Sequence, residues 1–186
     1  LYQAIDIEAI KKKVMRGLSE PAGIITFPGV NGYTKDLDKR LPYDVDAAKK
    51  LLADAGYPKG FDVELRCPND RYVNDEAICT AVVGMLGKIG VNVNLFAQTK
   101  SKHFKELKED KGDFYMLGWG VPTLDSHYVF HYLYESGASW NKVNFSNSEV
   151  DAAIRVMEGE VDAAKKLLAD AGYPKGFDVE LRCPND

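Results

Sequence analysis

Two periods of hydrophobic spacing run along this chain. In IDIEAIKKKVM, Ile7, Ile10 and Val14 recur at helical spacing behind Asp6, a residue type that caps helix starts, so a helix through about Met15 is predicted. Val45, Ala48, Leu52 and Ala55 repeat that period behind Asp44, until Gly56 and Pro58 stop it. FDVELRC then switches to a period of two: Phe61, Val63, Leu65 and Cys67 alternate with Asp62, Glu64 and Arg66, as in a half-buried strand. Ile78, Val82, Met85 and Ile89 make the next helical stripe, with Asn74 as its expected cap and Gly90 as its end. VNVNLF reads as a strand with Val91, Val93 and Leu95 on one face, and Ser101 as the cap of a short charged helix carrying Phe104 and Leu107. Phe114 to Leu117 are apolar without alternation, the pattern of a central strand buried on both faces, and Gly118, Trp119 and Gly120 close it. Thr123 or Asp125 starts an aromatic helix, LDSHYVFHYLY. The long stretch 19–41, punctuated by Pro21, Gly23, Pro28, Gly29 and Gly32, is expected to be irregular and either functional or wrapped over the surface. Helices alternating with strands place the fold in the α/β or α+β class.

One stretch, VDAAKKLLADAGYPKGFDVELRCPND, occurs twice without a difference, at 45–70 and at 161–186. An old natural repeat would have drifted, and two separated copies do not make a solenoid, so recent duplication, engineering or an artificial chimera all fit. Val150, Ile154, Met157, Val161, Ala164 and Leu168 continue one helical stripe across the join. One helix capped by Ser148 and reaching Ala171 is predicted, about 35 Å long. The division expected is a domain over 1–155 followed by the duplicated helix and strand over 156–186. The second FDVELRC copies a strand for which the domain has one slot. It is expected to pair at a sheet edge, to take the first copy's slot, or to insert into a neighbouring molecule as a homodimer through 161–186.

Composition narrows the function. With 45% hydrophobic and 28% charged residues the chain reads as an ordinary globular protein. Its net charge of −4 argues against a nucleic-acid partner, and the lysines of 100–113 are interleaved with acids as on a solvated helix face. No apolar run approaches the ~20 residues that span a bilayer. The opening LYQAIDIEAI is neither a signal peptide nor a start with Met, which suggests a piece of something longer. Cys183 duplicates Cys67, which leaves Cys67 and Cys79 without any C-x-x-C spacing. A bridge between them would suit an oxidising compartment, but the expectation is two unpaired core cysteines. His127 and His131 are four apart on a predicted helix, yet HYVFH lacks the Glu of H-E-x-x-H and no third ligand stands out, so ordinary helix-surface histidines and no metal are expected. No nucleophile-and-base or paired-carboxylate arrangement is visible, so neither an enzyme nor a bound cofactor is expected.

Two places remain for ligand chemistry. Asn69, Asp70, Arg71 and Tyr72 follow a strand and precede a helix, where open α/β sheets bind ligands and a helix start can face an anion. The same Asn and Asp equally suit a plain turn. Trp119 and Gly120, beyond the apolar strand, offer an indole beside backbone that a ligand can approach closely, although large aromatics are more often core residues.

IDIEAIKKKVMRG, LPYDVDAAKKLLADAGYPKGFDVEL, CPNDRY, GMLGKIGVNVNL and DFYMLGWG, in that order, resemble successive landmarks of the family 5 extracellular solute-binding proteins, over about residues 1–155. These are the oligopeptide-, dipeptide- and nickel-binding components of ABC importers. The resemblance implies one lobe of a two-lobe, periplasmic-binding-protein type II-like fold, a mixed sheet flanked by helices. It also implies a periplasmic or extracellular location, associated with the membrane through the transporter, with a small peptide or similar solute and the ABC permease subunits as partners and no chemistry of its own. It places Trp119 in the family's G-W segment at the cleft end of a strand. Peptide binders of the family commonly continue W-x-x-D, the Asp pairing with the peptide's amino terminus; here the fourth position is Pro122 and the nearest acid is Asp125. The ligand-binding residues expected are thus Asn69, Arg71, Tyr72, Trp119, Gly120 and Asp125. The alternative is a self-associating module in which the duplicated segment drives assembly and ligand binding has been lost with the other lobe.

Overall fold

The structure, a computed structural model, describes residues 1–170; the second strand copy, and with it the expectation of edge pairing or swapping, lies outside the described residues. Two compact units divide the chain, Leu1–Leu124 and Asp125–Asp186.

In the first unit α1 (Ile7–Ala9) runs into a single π turn (Ile10–Val14), and the Asp6 carboxylate accepts the Ala9 N–H at 2.9 Å as its cap. α2 (Val45–Asp54) is capped by Asp44, which accepts the Ala47 N–H at 2.8 Å, and Ala48 and Leu52 are its buried face. Between them 15–44 forms no long element. It is tied across itself by Asp38, which accepts the Gly23 N–H at 2.6 Å and the Tyr33 hydroxyl at 3.2 Å.

β1 (Asp62–Pro68), β2 (Asn92–Gln98) and β3 (Phe114–Tyr115) form a sheet in the order β2-β1-β3, and both pairings are parallel. The α/β expectation is thus realised with parallel strands, whose crossovers are helices: α3 (Asp75–Gly87) between β1 and β2, and α4 (Lys100–Lys108) between β2 and β3. The central strand is β1, not the apolar DFYML run, which corrects the sequence expectation. β3 pairs through two residues only, Leu65 opposite Phe114 and Arg66 opposite Tyr115, and residues 114–117 are half-buried. A run without alternation does not report order in the sheet.

Leu65, Cys67 and Val93 from the strands meet Cys79 and Leu86 of α3, Ile89 and Val91 of the α3–β2 turn, and Ala48 and Leu52 of α2 in one core with Ala4. The buried stripe of α3 is therefore Asp75, Cys79 and Leu86, rotated by about one residue from the predicted Ile78, Val82 and Met85, while the predicted Ile89 is buried just past the helix end. The turns into β1 and β2 touch backbone to backbone: a Cβ on Gly60 would lie 1.8 Å from the Gly90 carbonyl oxygen, and Gly60 has φ +75°. Only glycine satisfies both demands.

Cys67 and Cys79 are bonded in a disulfide, which overturns the expectation of two unpaired cysteines. The end of β1 packs on the first turns of α3 and brings their Cα atoms to 6.6 Å, inside bridging range, a proximity that spacing alone could not disclose.

Three caps differ from expectation. Asn74 has φ 57° and sends its amide to the Val14 carbonyl at 3.0 Å, so the first residue of α3, Asp75, supplies the acceptor there. α4 begins ahead of Ser101, with Asp70 accepting the Lys100 N–H at 2.5 Å. In the second unit α6 (Ser148–Asp170) is capped by Asn147, whose oxygen accepts the Glu149 and Val150 N–H groups at 2.9 and 3.1 Å. α6 does run unbroken from the preceding sequence into the second copy, with Ile154 buried in the unit that it shares with α5 (Ser126–Leu133). Asp151 of α6 accepts the Ser136 N–H at 2.9 Å, and buried Asn141 donates to the Glu135 and Phe145 carbonyls at 3.0 and 2.7 Å, which orders the connection.

The bridge closes a loop with a sequence separation of 12 residues, and the chain entropy it removes from the unfolded state corresponds to about 3 kcal/mol. Urea unfolding with and without dithiothreitol should show a stability loss of about that size on reduction. An unchanged midpoint in fully reduced protein would remove the bridge from the account of stability.

Candidate functional site

Because β1 and β3 run parallel and adjacent, their carboxyl ends open on the same edge of the sheet. β1 delivers 69–74 there and β3 delivers Gly118, Trp119 and Gly120. The two segments touch. The Tyr72 hydroxyl lies 3.4 Å from the Gly118 carbonyl oxygen, to which it donates, and a Cβ on Gly118 would stand 2.6 Å from the Tyr72 ring. Gly118 thus leaves the space that the phenol ring fills. The Arg71 guanidinium sits 5.0 Å from the centroid of the same ring, and Arg71 itself is exposed. Cation and ring at this separation attract, and stacking keeps the guanidinium available on its outer side.

The other predicted residues fall out unevenly. The exposed Asn69 anchors its backbone by donating its N–H to the Gln98 carbonyl at 2.9 Å, which prolongs the β1–β2 pairing. Its neighbour Asp70 is spent on the start of α4. Trp119 is half-buried and Gly120 exposed, both next in the chain to the Tyr72 contact. Asp125 opens the second unit, where its carboxylate accepts the His127 N–H at 2.8 Å and caps α5.

Two residues outside the sequence expectation shape the site. Asp75, 4% exposed, accepts the Arg71 and Tyr72 N–H groups at 2.9 and 3.0 Å on Oδ2 and the Glu76 N–H at 2.9 Å on Oδ1. Its position on the buried stripe of α3 was the available signal, since a lone acid there must find donors. His103 of α4 is fully buried and holds β3's exit: Nε2 donates to the Met116 carbonyl at 3.0 Å, and Nδ1 has no hydrogen-bond partner among the described residues.

Burial pushes the His103 imidazole below the ordinary value, against the raising effects of the Met116 carbonyl, Glu106 and Asp75. Burial would by itself raise the Asp75 carboxyl, but the backbone donors of Tyr72, Arg71 and Glu76 outweigh it and hold the carboxyl below its ordinary value. Among the described residues no group of three or more His, Cys, Asp or Glu is placed to hold a metal ion. His127 and His131 do share a face, their rings stacked at 5.5 Å, and His131 Nδ1 lies 2.7 Å from Glu135. No described helix is long and apolar enough to cross a membrane.

Residues 1–141 match the bacterial extracellular solute-binding proteins, family 5, in their middle region. Heme-binding protein A of Haemophilus influenzae is 29% identical over 162 residues, covering 83% of this chain and 29% of that protein. The dipeptide-binding protein of Escherichia coli K12 is 29% identical over 149 residues, covering 78% of this chain and 28% of that protein. Among solved structures, the dipeptide-binding protein from Pseudoalteromonas sp. SM9913 in complex with Met-Leu superimposes with a TM-score of 0.71 at 27% identity, over 90% of this chain and 36% of that one. AgaA from Agrobacterium tumefaciens R10, in complex with agropinic acid, gives 0.72 at 26% identity, over 82% of this chain and 32% of that one. The chain spans under a third of the length of these two curated relatives.

Both shifted groups have a consequence for stability. A histidine whose folded value is lowered lets the unfolded state bind the proton first, so stability falls as pH drops below about 6.5. The lowered Asp75 carboxyl contributes stability that is present above 3.8 and is lost as pH falls through its folded value. Unfolding midpoints should decline between about pH 7 and 5 and again below about pH 4. His103→Gln should abolish the first decline and keep the second. Retention of both in the variant would place the titrating group elsewhere.

Proposed function

The chain belongs to the bacterial extracellular solute-binding proteins of family 5, and we propose that it forms one side of the ligand cleft in the substrate-binding component of an ABC-type oligopeptide or dipeptide importer. The observation that carries this reading is the meeting of Tyr72 with Gly118 at the carboxyl ends of adjacent parallel strands. Ligands of open α/β sheets bind at such strand ends, because the loops there combine exposed polar groups with rigid support. Arg71 has no ion pair among the described residues and offers a guanidinium to a carboxylate; Trp119 and Tyr72 offer flat apolar surface to side chains; Asn69 and Gly120 offer amide groups. The dipeptide-binding relatives favour a small peptide as the ligand. The relatives are named for binding rather than catalysis and the family is one of extracellular solute-binding proteins, which supports a carrier role outside the cytoplasm, working with membrane permeases.

A second reading is favoured by the identity of 45–70 with 161–186: a self-associating module in which that segment governs assembly. In that reading the cleft surface is silent.

Titration of the isotope-labelled chain with Met-Leu should move the Asn69, Arg71 and Tyr72 amide signals and the Trp119 indole signal together and saturably. One lobe encloses less of a ligand than two, so a Kd of ~1 mM is expected. Shifts confined to other residues, or none up to ~10 mM, would sink the cleft reading. A dimer in that silent sample would favour self-association.

A further inference from the structure

Asp75 stands where the pattern of α3 calls for an apolar side chain, on the stripe that continues with Cys79 and Leu86. A carboxylate at such a position persists only if donors offset its desolvation. An ordinary cap residue precedes its helix and takes N–H groups from the first turn. Asp75 is the first residue of α3 and reaches backwards: Oδ2 takes the Arg71 and Tyr72 N–H groups, and its own N–H donates to the Tyr72 carbonyl at 3.4 Å. Only Oδ1, on the Glu76 N–H, serves the helix. Most of its bonding is therefore directed at the loop.

The frame around that loop is fixed. The disulfide joins Cys67, just before the loop, to Cys79, one turn beyond Asp75 on the same face of α3. Asn74, in the left-handed region, is tied to Val14. Within this frame two bonds to one carboxylate oxygen set the direction in which Arg71 and Tyr72 leave the backbone.

We propose that Asp75 is a positioning residue for ligand capture: its carboxylate locks the Arg71–Tyr72 backbone so that the Tyr72 ring stands against Gly118, with the Arg71 guanidinium across it, before a ligand arrives. This rests on the cleft reading given above. Preorganisation of this kind improves affinity by removing the ordering cost from the binding step. Asn at position 75 has nearly the same shape but one acceptor oxygen. Whichever way its amide turns, an NH2 faces backbone donors on one side.

The test is amide exchange in the intact chain and in Asp75→Asn, combined with Met-Leu titration of both. In the wild type the Arg71 and Tyr72 amides should be protected; full exposure there would overturn the proposal without any variant. In Asp75→Asn both should exchange at least about tenfold faster, with the β2 amides of Val93 and Leu95 unchanged and the apparent Kd for Met-Leu raised about fivefold or more. Unchanged Arg71 and Tyr72 exchange in a folded variant, or faster exchange with unchanged affinity, would also overturn it. A wild-type chain that protects both amides yet never responds to Met-Leu would defeat the cleft reading instead, and with it the capture role.

Discussion

β1 is held between two parallel neighbours, and the site depends on that arrangement. Asp62 to Pro68 pair in register with Asn92 to Gln98 on one side, while Leu65 and Arg66 pair with Phe114 and Tyr115 on the other. Parallel pairing forces each connection across the sheet through a helix, so the strand exits collect on one edge and the helix starts lie beside them. Tyr72 and Gly118 are far apart in sequence, and this register brings their segments to the same edge. The supports follow the same logic. Asp75 and Asp70 sit at the starts of α3 and α4, and His103 ties α4 to the segment leaving β3.

A charged layer on the outer side of the sheet fixes the register further. Arg66 of β1 pairs with Glu64 at 2.7 Å and with Glu106 of α4 at 3.2 Å, while its guanidinium lies 4.0 Å from the Phe96 ring centroid of β2. Gln98 of β2 donates to Glu106 at 2.7 Å. Arg66, Glu106 and Gln98 are largely shielded, so the network joins β1, β2 and α4 through contacts that a one-residue slip would break. The candidate loop is thereby carried on a rigid base.

Sequence disclosed what is local. Asp6, Asp44 and Asp125 each precede an apolar stripe, and each caps the helix expected of it. The alternation of FDVELRC sets the face that β1 buries, and the strand-to-helix position of Arg71 and Tyr72 is local too. Where two cap formers stand together, as in Asn74-Asp75, the choice depends on donors from elsewhere, and the carboxylate won because the loop offers it two N–H groups. Three further features needed three dimensions. The Cys67–Cys79 bridge depends on a strand end packing over a helix start, the edge position of β3 on sheet order, and the requirement for glycine at 118 on a ring 46 positions earlier. The carry-through of α6 into the duplicated segment was legible because helical phase is preserved at the join.

The central claim is that two loops far apart in the chain present one surface at the strand ends. Nuclear Overhauser contacts between the Tyr72 ring protons and the Gly118 α-protons in the oxidised chain test it most directly. The account predicts strong contacts, with the Gly118 protons shifted by the ring current. A folded chain that shows the β1–β3 backbone contacts but none between Tyr72 and Gly118 would contradict it.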